Sequence, residues 1–264
     1  FAKDLAIPSD TSAQIQDMDA EYFLLVEEDG KEGDRAISFN HPYDRTYPAS
    51  ITKLMTALVC VSSVENLDQE FVVSGSSVIK EAGSSTAFLQ VGESLSIRNL
   101  LYGMLLPSGN DAAVAVAEAT AGSVSAFVDR MNEKALELGC LSSHFTNPHG
   151  LPDDNHYTSP YDIYLILKEC MKYDSLREIL STKEIQVQYK DKNGIPKSQV
   201  WKATNLYSTG EKELPDGLEI LAAKTGTTKK AGYCLALTVD KASTAIPYYS
   251  VVMKGTNKEN LYEN

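Results

Sequence analysis

The chain has few of the residues from which metal sites and disulfide frameworks are built. Only four cysteines and four histidines occur among its 264 residues. The cysteines are Cys60, Cys140, Cys170 and Cys234, and their wide, irregular spacing matches neither a zinc site nor a dense disulfide scaffold. The histidines are not spaced like metal ligands. We therefore expect four buried thiols, no metal and no cofactor.

The chain is also poor in positive charge. It has 24 Lys and Arg against 36 Asp and Glu, which gives a formal net charge of −12. This balance argues against a nucleic-acid partner, because such proteins neutralise phosphates with basic patches. A hydrophobic share of 43% and a charged share of 23% are typical of a globular protein with a full core.

A long hydrophobic run is missing as well. No apolar stretch approaches the roughly 18–20 residues needed to cross a bilayer. No signal peptide precedes the opening Phe1-Ala2-Lys3-Asp4, which resembles the start of a processed or trimmed chain. We expect any membrane contact to come only from segments outside this sequence.

Strand-like segments lie at both ends of the chain. Tyr22 to Val26 and Ala36 to Phe39, separated by the turn signal Asp29-Gly30, favour a β-hairpin. After Ile185 the sequence returns to short β-like runs. Strands from both ends can share one antiparallel sheet around a helical insert, which predicts an α+β fold.

Helical patterns fill the middle of the chain. Apolar residues recur every three or four positions from Ser50 onward, and cap and stop signals favour further helices up to about Lys172. We expect residues 1–264 to form a single catalytic domain. Its sheet lobe would cover about 20–60 and 175–264, and its helical lobe about 61–174.

Three short motifs, far apart in the chain, make chemical sense together. They are Ser50-Ile51-Thr52-Lys53, Ser108-Gly109-Asn110 and Lys224-Thr225-Gly226. Each alone is weak evidence, because a Ser three residues before a Lys occurs by chance in many proteins. Their order and local contexts make coincidence improbable, and together they indicate an acyl-transfer site.

The first motif supplies a nucleophile and a base. Residues three apart share a helix face, so Lys53 is within reach of Ser50. A serine hydroxyl needs an adjacent base, and no histidine occupies such a place, which leaves the Lys53 amine as the candidate. Its pKa must fall through burial or a nearby cation, for which Lys224 is the candidate. Backbone N–H groups at the helix start, including that of Ser50, would form half of an oxyanion hole.

The other two motifs combine short polar side chains with a glycine. Ser108 and Asn110 lie between Pro107 and an Ala-rich helix, an arrangement typical of a tight turn that projects both side chains. Lys224 and Thr225 end a predicted strand. The small Gly226 beside them would let an extended chain lie flat against the sheet edge.

The wider contexts of these motifs resemble one family. The motif set marks β-lactamases and penicillin-binding proteins, in the form with Asp where Gly109 stands. The runs YPASITKLMT, LLPSGNDAA, FTNPHGL and KTGTTKKAGYC are similar to the D-alanyl-D-alanine carboxypeptidases, the low-molecular-mass penicillin-binding proteins. The resemblance covers roughly residues 20 to 255.

The resemblance implies a reaction and a set of catalytic residues. A serine-type carboxypeptidase of this kind removes the terminal D-alanine from peptidoglycan stem pentapeptides through an acyl-enzyme on Ser50, and penicillins acylate the same serine. Lys53 would be the base. Ser108 would relay a proton towards the leaving amine, and Asn110 would hold the substrate backbone or the Lys53 amine.

The resemblance also implies how substrate binds. Lys224 and the Thr225 hydroxyl would hold the free carboxylate of the terminal D-alanine. The peptide would pair as an added strand along the segment that includes Gly226. The backbone N–H of Thr227 would be the second oxyanion donor, beside that of Ser50.

The family fold and location follow as expectations. The fold would be a five-stranded antiparallel sheet flanked by helices, plus an all-helical lobe, with the site between them. The expected partners are the stem peptide ending in D-Ala-D-Ala and β-lactam antibiotics as covalent inhibitors. The expected location is extracytoplasmic, secreted or anchored on the outer face of a bacterial membrane. The C-terminal β domain and membrane anchor of many relatives would be absent here.

Two other functions stay open at the level of sequence. A class A-like β-lactamase would clear the acyl-enzyme with a Glu-activated water, but its Glu-x-x-Leu-Asn loop occurs nowhere in the chain. A non-catalytic β-lactam-sensing or wall-binding domain would not turn over peptide at all. Release of D-alanine from a peptide distinguishes these functions from a carboxypeptidase.

Overall fold

The computed structural model describes residues 7–8, 18–28, 33–78, 81, 83–241 and 246–262. The predicted Asp29-Gly30 turn and the opening Phe1 to Asp4 lie outside the described residues. Within the described ranges the helices are α1 (Lys53–Ser63), α2 (Ile97–Leu105), α3 (Asn110–Ala121), α4 (Val124–Leu138), α5 (Pro160–Cys170), α6 (Asp174–Ser181) and α7 (Leu206–Thr209). Short 3₁₀ turns occupy Ala49–Thr52, Gly75–Ser77 and Asn260–Tyr262.

The strands form two sheets. They are β1 (Ile7–Pro8), β2 (Ala20–Glu27), β3 (Arg35–Asn40), β4 (Glu70–Val72), β5 (Ser94–Ser96), β6 (Glu184–Lys190), β7 (Pro196–Lys202), β8 (Leu218–Thr228), β9 (Gly232–Lys241) and β10 (Pro247–Gly255). The main sheet has the order β1-β3-β2-β10-β9-β8, and the smaller sheet has the order β4-β5-β6-β7.

The main sheet unites the two ends of the chain, as predicted. β2 pairs antiparallel with β10, with Phe23 opposite Val252. Two clusters of buried hydrophobic residues, one large and one smaller, cover the two faces of the sheet. On β9, Cys234 belongs to the large cluster and its neighbour Leu235 to the smaller one. Alternate residues of a strand point to opposite faces, so this sheet is the middle layer of the fold. The α+β class is confirmed.

The smaller sheet corrects one detail of the prediction. All the strand-like runs from Ile185 onward were expected to join the main sheet, but β6 instead pairs with β7, Val187 opposite Gln199, and with β5 through Ser94 and Lys190. The helical part of the molecule is therefore not all-helical. An alternating pattern shows which face of a strand is buried and not which strand it pairs with, and β4 and β5 are too short to show any period.

The main sheet also differs by one strand from the five that were expected. The two-residue β1 pairs parallel with β3 at its edge, Ile7 opposite Arg35. Two residues carry no periodic signal, so no pattern could have indicated it. The single catalytic domain, with a sheet lobe at about 20–60 and 175–264 and a helical lobe at about 61–174, stays a prediction.

Helix boundaries follow the capping signals in the sequence. The hydroxyls of Ser96, Ser123 and Ser159 accept hydrogen bonds from backbone N–H groups at the starts of α2, α4 and α5. α3 and α4 end at Gly122 and Gly139, both in the left-handed conformation. Among the described residues no single helix is long and apolar enough to cross a membrane, although α3 and α4, bent by 84°, pass such a test as a pair.

The loop at Asn147 to Leu151 lies directly beneath the start of α1. Thr56 of α1 donates a hydrogen bond to the carbonyl of Pro148 at 2.6 Å. Gly150 has a φ of +88°, and a Cβ there would overlap the carbonyl oxygen of Ala49. The backbone of this loop thus touches the turn that precedes α1, and only glycine fits.

We expect Gly150→Ala to destabilise the protein strongly. The added methyl meets a backbone carbonyl and also takes a positive φ, so the free energy of unfolding should fall by about 3 kcal/mol or more. Gly122→Ala is the matched control, because Gly122 has a φ of +77° but open space around it. That variant should lose only about 1–2 kcal/mol. Urea unfolding measures both, and equal losses would contradict the close contact.

Candidate functional site

Ser50 and Lys53 lie at the start of the α1 segment, as their spacing predicts. Ser50 is in the 3₁₀ turn Ala49–Thr52, and Lys53 is the first residue of α1. The Lys53 amine contacts the Ser50 hydroxyl at 2.9 Å. It also donates to Asn110 Oδ1 at 2.7 Å and to the carbonyl of His149 at 2.9 Å. Residues from three distant parts of the chain thus meet at one nitrogen.

The partners of Lys53 determine what its neutral form can do. An ammonium donates three hydrogen bonds, whereas a neutral amine donates two and accepts one. The carbonyl oxygens of Asn110 and His149 are acceptors only. The Ser50 hydroxyl is therefore the one partner that can donate a proton to the neutral nitrogen. This geometry suits a base that takes the proton of a serine nucleophile.

Lys224 is the second buried amine of the site. It donates to the Ser108 hydroxyl at 2.9 Å and to the carbonyl of Thr225 at 2.8 Å. Its side chain projects from β8 while Ser108 precedes α3, so this contact joins the sheet to the helical part. Ser50, Lys53, Ser108, Asn110 and Lys224 are thus brought together by the fold.

Burial opposes the charged form of both amines. Lys53 is fully buried, and desolvation followed by repulsion from Lys224 holds its pKa well below the ordinary range, although Asp111 acts in the opposite direction. Desolvation lowers the pKa of Lys224 to about 7. Two ammonium groups in one buried space repel each other, which favours a state in which Lys53 is neutral.

The Ser108 turn is strained and tightly enclosed. Ser108 has a φ of +62°, a conformation that costs an L-residue roughly 1–2 kcal/mol. A Cβ at Gly109 would lie 2.6 Å from the carbonyl oxygen of Gly103 and 2.8 Å from the nitrogen of Ala87. Asp is the residue of the general motif at this position, and the enclosure leaves no room for an Asp side chain in this chain.

Gly226 brings β8 against the turn that carries the serine. A Cβ there would lie 2.8 Å from the backbone nitrogen of Ser50 and 3.0 Å from that of Ile51. From the sequence, Gly226 was expected to be small so that substrate could lie flat against the sheet edge. In the structure, the Cα of Gly226 faces the start of α1. The residue of β8 that follows this close contact is Thr227, which is exposed.

A cleft of about 210 Å³ opens beside these groups. It is lined by Ser50, Ser85, Ser108, Thr204, Thr225, Gly226, Thr227, Tyr233, Cys234, Lys258, Leu261 and Tyr262. Sequence reasoning missed Ser85, Thr204 and Lys258, since single residues in loops carry no periodic or motif signal. Thr204 and Thr225 share a hydrogen bond of 2.6 Å between their hydroxyls. Lys258 places an exposed positive charge at the cleft.

Histidines near the site are held neutral. Burial lowers the pKa of His149 to about 3 and that of His156 to about 4. The ring of His156 accepts a hydrogen bond from the N–H of Thr146 at 3.0 Å, so its other nitrogen carries the proton and donates to the Thr52 hydroxyl at 2.8 Å. Both rings are structural supports of the loop beneath α1.

The thiol beside the cleft does not compete with Ser50. Cys234 is buried, and desolvation raises the pKa of its thiol to about 12. All four cysteines are free and buried, as expected. In the described part of the chain, no group of three or more His, Cys, Asp or Glu side chains is arranged to hold a metal ion.

Comparisons with known proteins identify relatives in several bacteria. The profile of the D-alanyl-D-alanine carboxypeptidase family matches residues 9–257. The chain is 35% identical to the D-alanyl-D-alanine carboxypeptidase DacF of Bacillus subtilis over 202 residues, which are 76% of this chain and 49% of that protein. It is 32% identical to DacA of Escherichia coli K12 over 251 residues, or 91% of this chain and 57% of that protein.

A solved structure shares the fold. The crystal structure of the Streptomyces K15 DD-transpeptidase superposes with a TM-score of 0.85 at 26% sequence identity, over 94% of each chain. The chain spans about half the length of the first two relatives above. With a family profile matching nearly its whole length and this fold, the chain belongs to the D-alanyl-D-alanine carboxypeptidase family.

Proposed function

We propose that this protein is a serine-type D-Ala-D-Ala carboxypeptidase of peptidoglycan stem peptides, with Ser50 as nucleophile. The observation that carries the proposal is the buried Lys53 amine, 2.9 Å from the Ser50 hydroxyl. Its remaining partners only accept hydrogen bonds, so the neutral amine is aimed at the serine proton.

Acylation starts with the transfer of that proton. The Ser50 oxygen bonds to the carbonyl carbon between the two D-alanines while Lys53 takes its proton. The oxyanion is held by the backbone N–H groups of Ser50 and Thr227, and the close approach of Gly226 to the Ser50 nitrogen supports this pairing. The C–N bond then breaks, and the leaving nitrogen takes a proton from Ser108, which is replaced from the Lys224 ammonium 2.9 Å away.

Deacylation restores the starting state. Water attacks the acyl-enzyme and gives one proton to the neutral Lys224 amine through Ser108. The Ser50 oxygen leaves as the ester breaks and takes its proton back from Lys53. Each lysine thus ends the cycle as it began, with Lys53 neutral and Lys224 charged.

Substrate binds between the edge strand and the helical part. β8 is the last strand of the main sheet, so its outer backbone groups are available to an added peptide strand. The terminal carboxylate meets Thr225 and Lys224, and the exposed charge of Lys258 lies at the same cleft. Asn110 holds the Lys53 amine and the substrate backbone.

The relatives' names favour this function over its rivals. They are called D-alanyl-D-alanine carboxypeptidases, and the solved neighbour is called a DD-transpeptidase. Both reactions pass through the same kind of acyl-enzyme. The site would act outside the cytoplasm, where stem peptides are found, and penicillins would acylate Ser50. A class A-like β-lactamase or a non-catalytic sensing domain is thereby disfavoured.

Ser50→Ala should abolish both D-alanine release and penicillin binding, because it removes the hydroxyl whose proton Lys53 is placed to take. D-Alanine released from a peptide ending in D-Ala-D-Ala and mass spectrometry of a benzylpenicillin adduct measure the two reactions. Ser63→Ala, at the exposed end of α1, is the control and should keep both. A penicilloyl adduct on the Ser50 variant would refute the assignment. Rapid multiple turnover of benzylpenicillin would instead favour a β-lactamase.

Lys53→Arg should slow acylation by about 100-fold or more. Arginine keeps the positive charge but stays protonated at working pH, so it cannot take the serine proton. The second-order rate constant for benzylpenicillin acylation measures the effect, and Lys172→Arg, an exposed substitution on the molecular surface, is the control. Near-normal acylation by the Lys53 variant would contradict its role as a base.

Lys224→Met should change how stability depends on pH. The pKa of Lys224 is about 7 in the folded protein and has its ordinary lysine value when unfolded, so the unfolded state binds more protons between these values. The free energy of unfolding therefore rises with pH through this window. Between about pH 7 and pH 9 the wild type should gain roughly 2 kcal/mol relative to the variant. Urea unfolding at several pH values tests this, and parallel curves would exclude a depressed pKa.

A further inference from the structure

Phe88 is a large aromatic residue held outward at considerable conformational cost. Its side chain is 74% exposed, and its φ is +61°. Bulky residues rarely adopt this conformation, because Cβ crowds the backbone. Both neighbours, Ala87 and Leu89, are buried, so the ring projects from a segment that is otherwise packed against the protein.

The backbone on either side of Phe88 is fixed by hydrogen bonds. The buried carboxylate of Asp111 accepts from the N–H of Ala87 at 2.8 Å and from that of Leu89 at 2.9 Å. The carbonyl of Ala87 accepts from the side chains of Gln199 at 2.9 Å and Trp201 at 3.3 Å. The strained conformation is therefore imposed by the surrounding structure and not by the packing of the exposed ring.

The same segment borders the catalytic cleft. Ser85 lines the cleft with Ser50 and Ser108, and its carbonyl accepts from the N–H of Asn110 at 2.9 Å. Ser85 and Phe88 are three positions apart in the chain, so their Cα atoms are at most about 11 Å apart. The Asp111 that fixes the segment follows directly after Asn110. Phe88 thus belongs to a rigid wall that continues the Ser108–Asn110 side of the site.

We propose that Phe88 is a specificity-determining contact for the apolar substituent that an acyl donor carries on the acyl side of its scissile bond. This inference rests on the proposed function. The carboxylate end of the donor is attracted by Lys224 and Lys258, whereas the segment around Phe88 presents an exposed ring and the half-exposed Val91. An apolar side chain preceding the D-alanines, or the side chain of a penicillin, would cover this ring.

The strain at Phe88 is consistent with selection for binding. A glycine at this position would adopt the same φ without crowding, and an exposed ring gains little from packing in the free protein. Phe88→Gly should therefore leave the midpoint of urea unfolding unchanged or raise it. A clear fall in the midpoint would show that the ring supports the fold, and the proposal would be wrong.

Acylation by two penicillins gives the decisive measurement. Benzylpenicillin carries an apolar phenylacetyl group, and 6-aminopenicillanic acid has the same reacting rings without it. For Phe88→Gly we expect the rate constant with benzylpenicillin to fall about tenfold while that with 6-aminopenicillanic acid stays unchanged. Phe88→Leu should recover part of the loss. Leu141→Ala, at another residue that is 77% exposed, is the control and should change neither rate.

Peptide donors extend the test to the natural type of substrate. Release of D-alanine from a donor with a long aliphatic side chain before D-Ala-D-Ala should fall in Phe88→Gly, and release from acetyl-D-Ala-D-Ala should not. Equal losses with both members of a pair, or none with either, would overturn the role of Phe88. Failure of the wild type to react with any donor would instead overturn the proposed function.

Discussion

The site depends on the burial of two lysine amines in one space. Lys53 and Lys224 are both almost fully removed from solvent, and each is surrounded by oxygen partners that orient it. Water would stabilise two ammonium groups, but the buried space does not, so the free energy of this arrangement is lowest when one proton is absent. The missing proton is what makes one amine a base. Exposure of either amine would remove that property without removing any catalytic side chain.

Close backbone approaches keep this arrangement in place. Gly150 lies beneath the turn that contains Ser50, Gly226 lies against the nitrogen of Ser50, and Gly109 is enclosed by Gly103 and Ala87. In each case the missing side chain allows two backbone segments to touch. Such contacts are stiff, because main-chain atoms cannot rotate away as a side chain can. The sheet, the helical part and the loop beneath α1 are therefore locked at the points where the reacting groups meet.

The spacing of the motifs predicted most of the site residues, and hydrophobic periodicity predicted most of the helices and strands. Ser50 and Lys53 were predicted to meet because residues three apart share a helix face, and they do. The carbonyl of His149 was not predicted as a Lys53 partner, because every residue has a carbonyl and none signals its contacts. β6 and β7 were assigned to the wrong sheet, since Val187 and Trp201 show burial but not pairing. Lys258 and Phe88 are single loop residues, visible only once the chain is folded.

Because the charged groups of the site differ in exposure, they should respond differently to the ionic strength of the medium. Mobile ions screen exposed charges over about 10 Å or less at physiological concentrations but hardly reach buried ones. The proton balance between Lys53 and Lys224 should thus be insensitive to salt. Attraction of an anionic ligand by the exposed Lys258 should weaken as salt rises. The chemical step and the capture step would then respond differently to the same change in salt concentration.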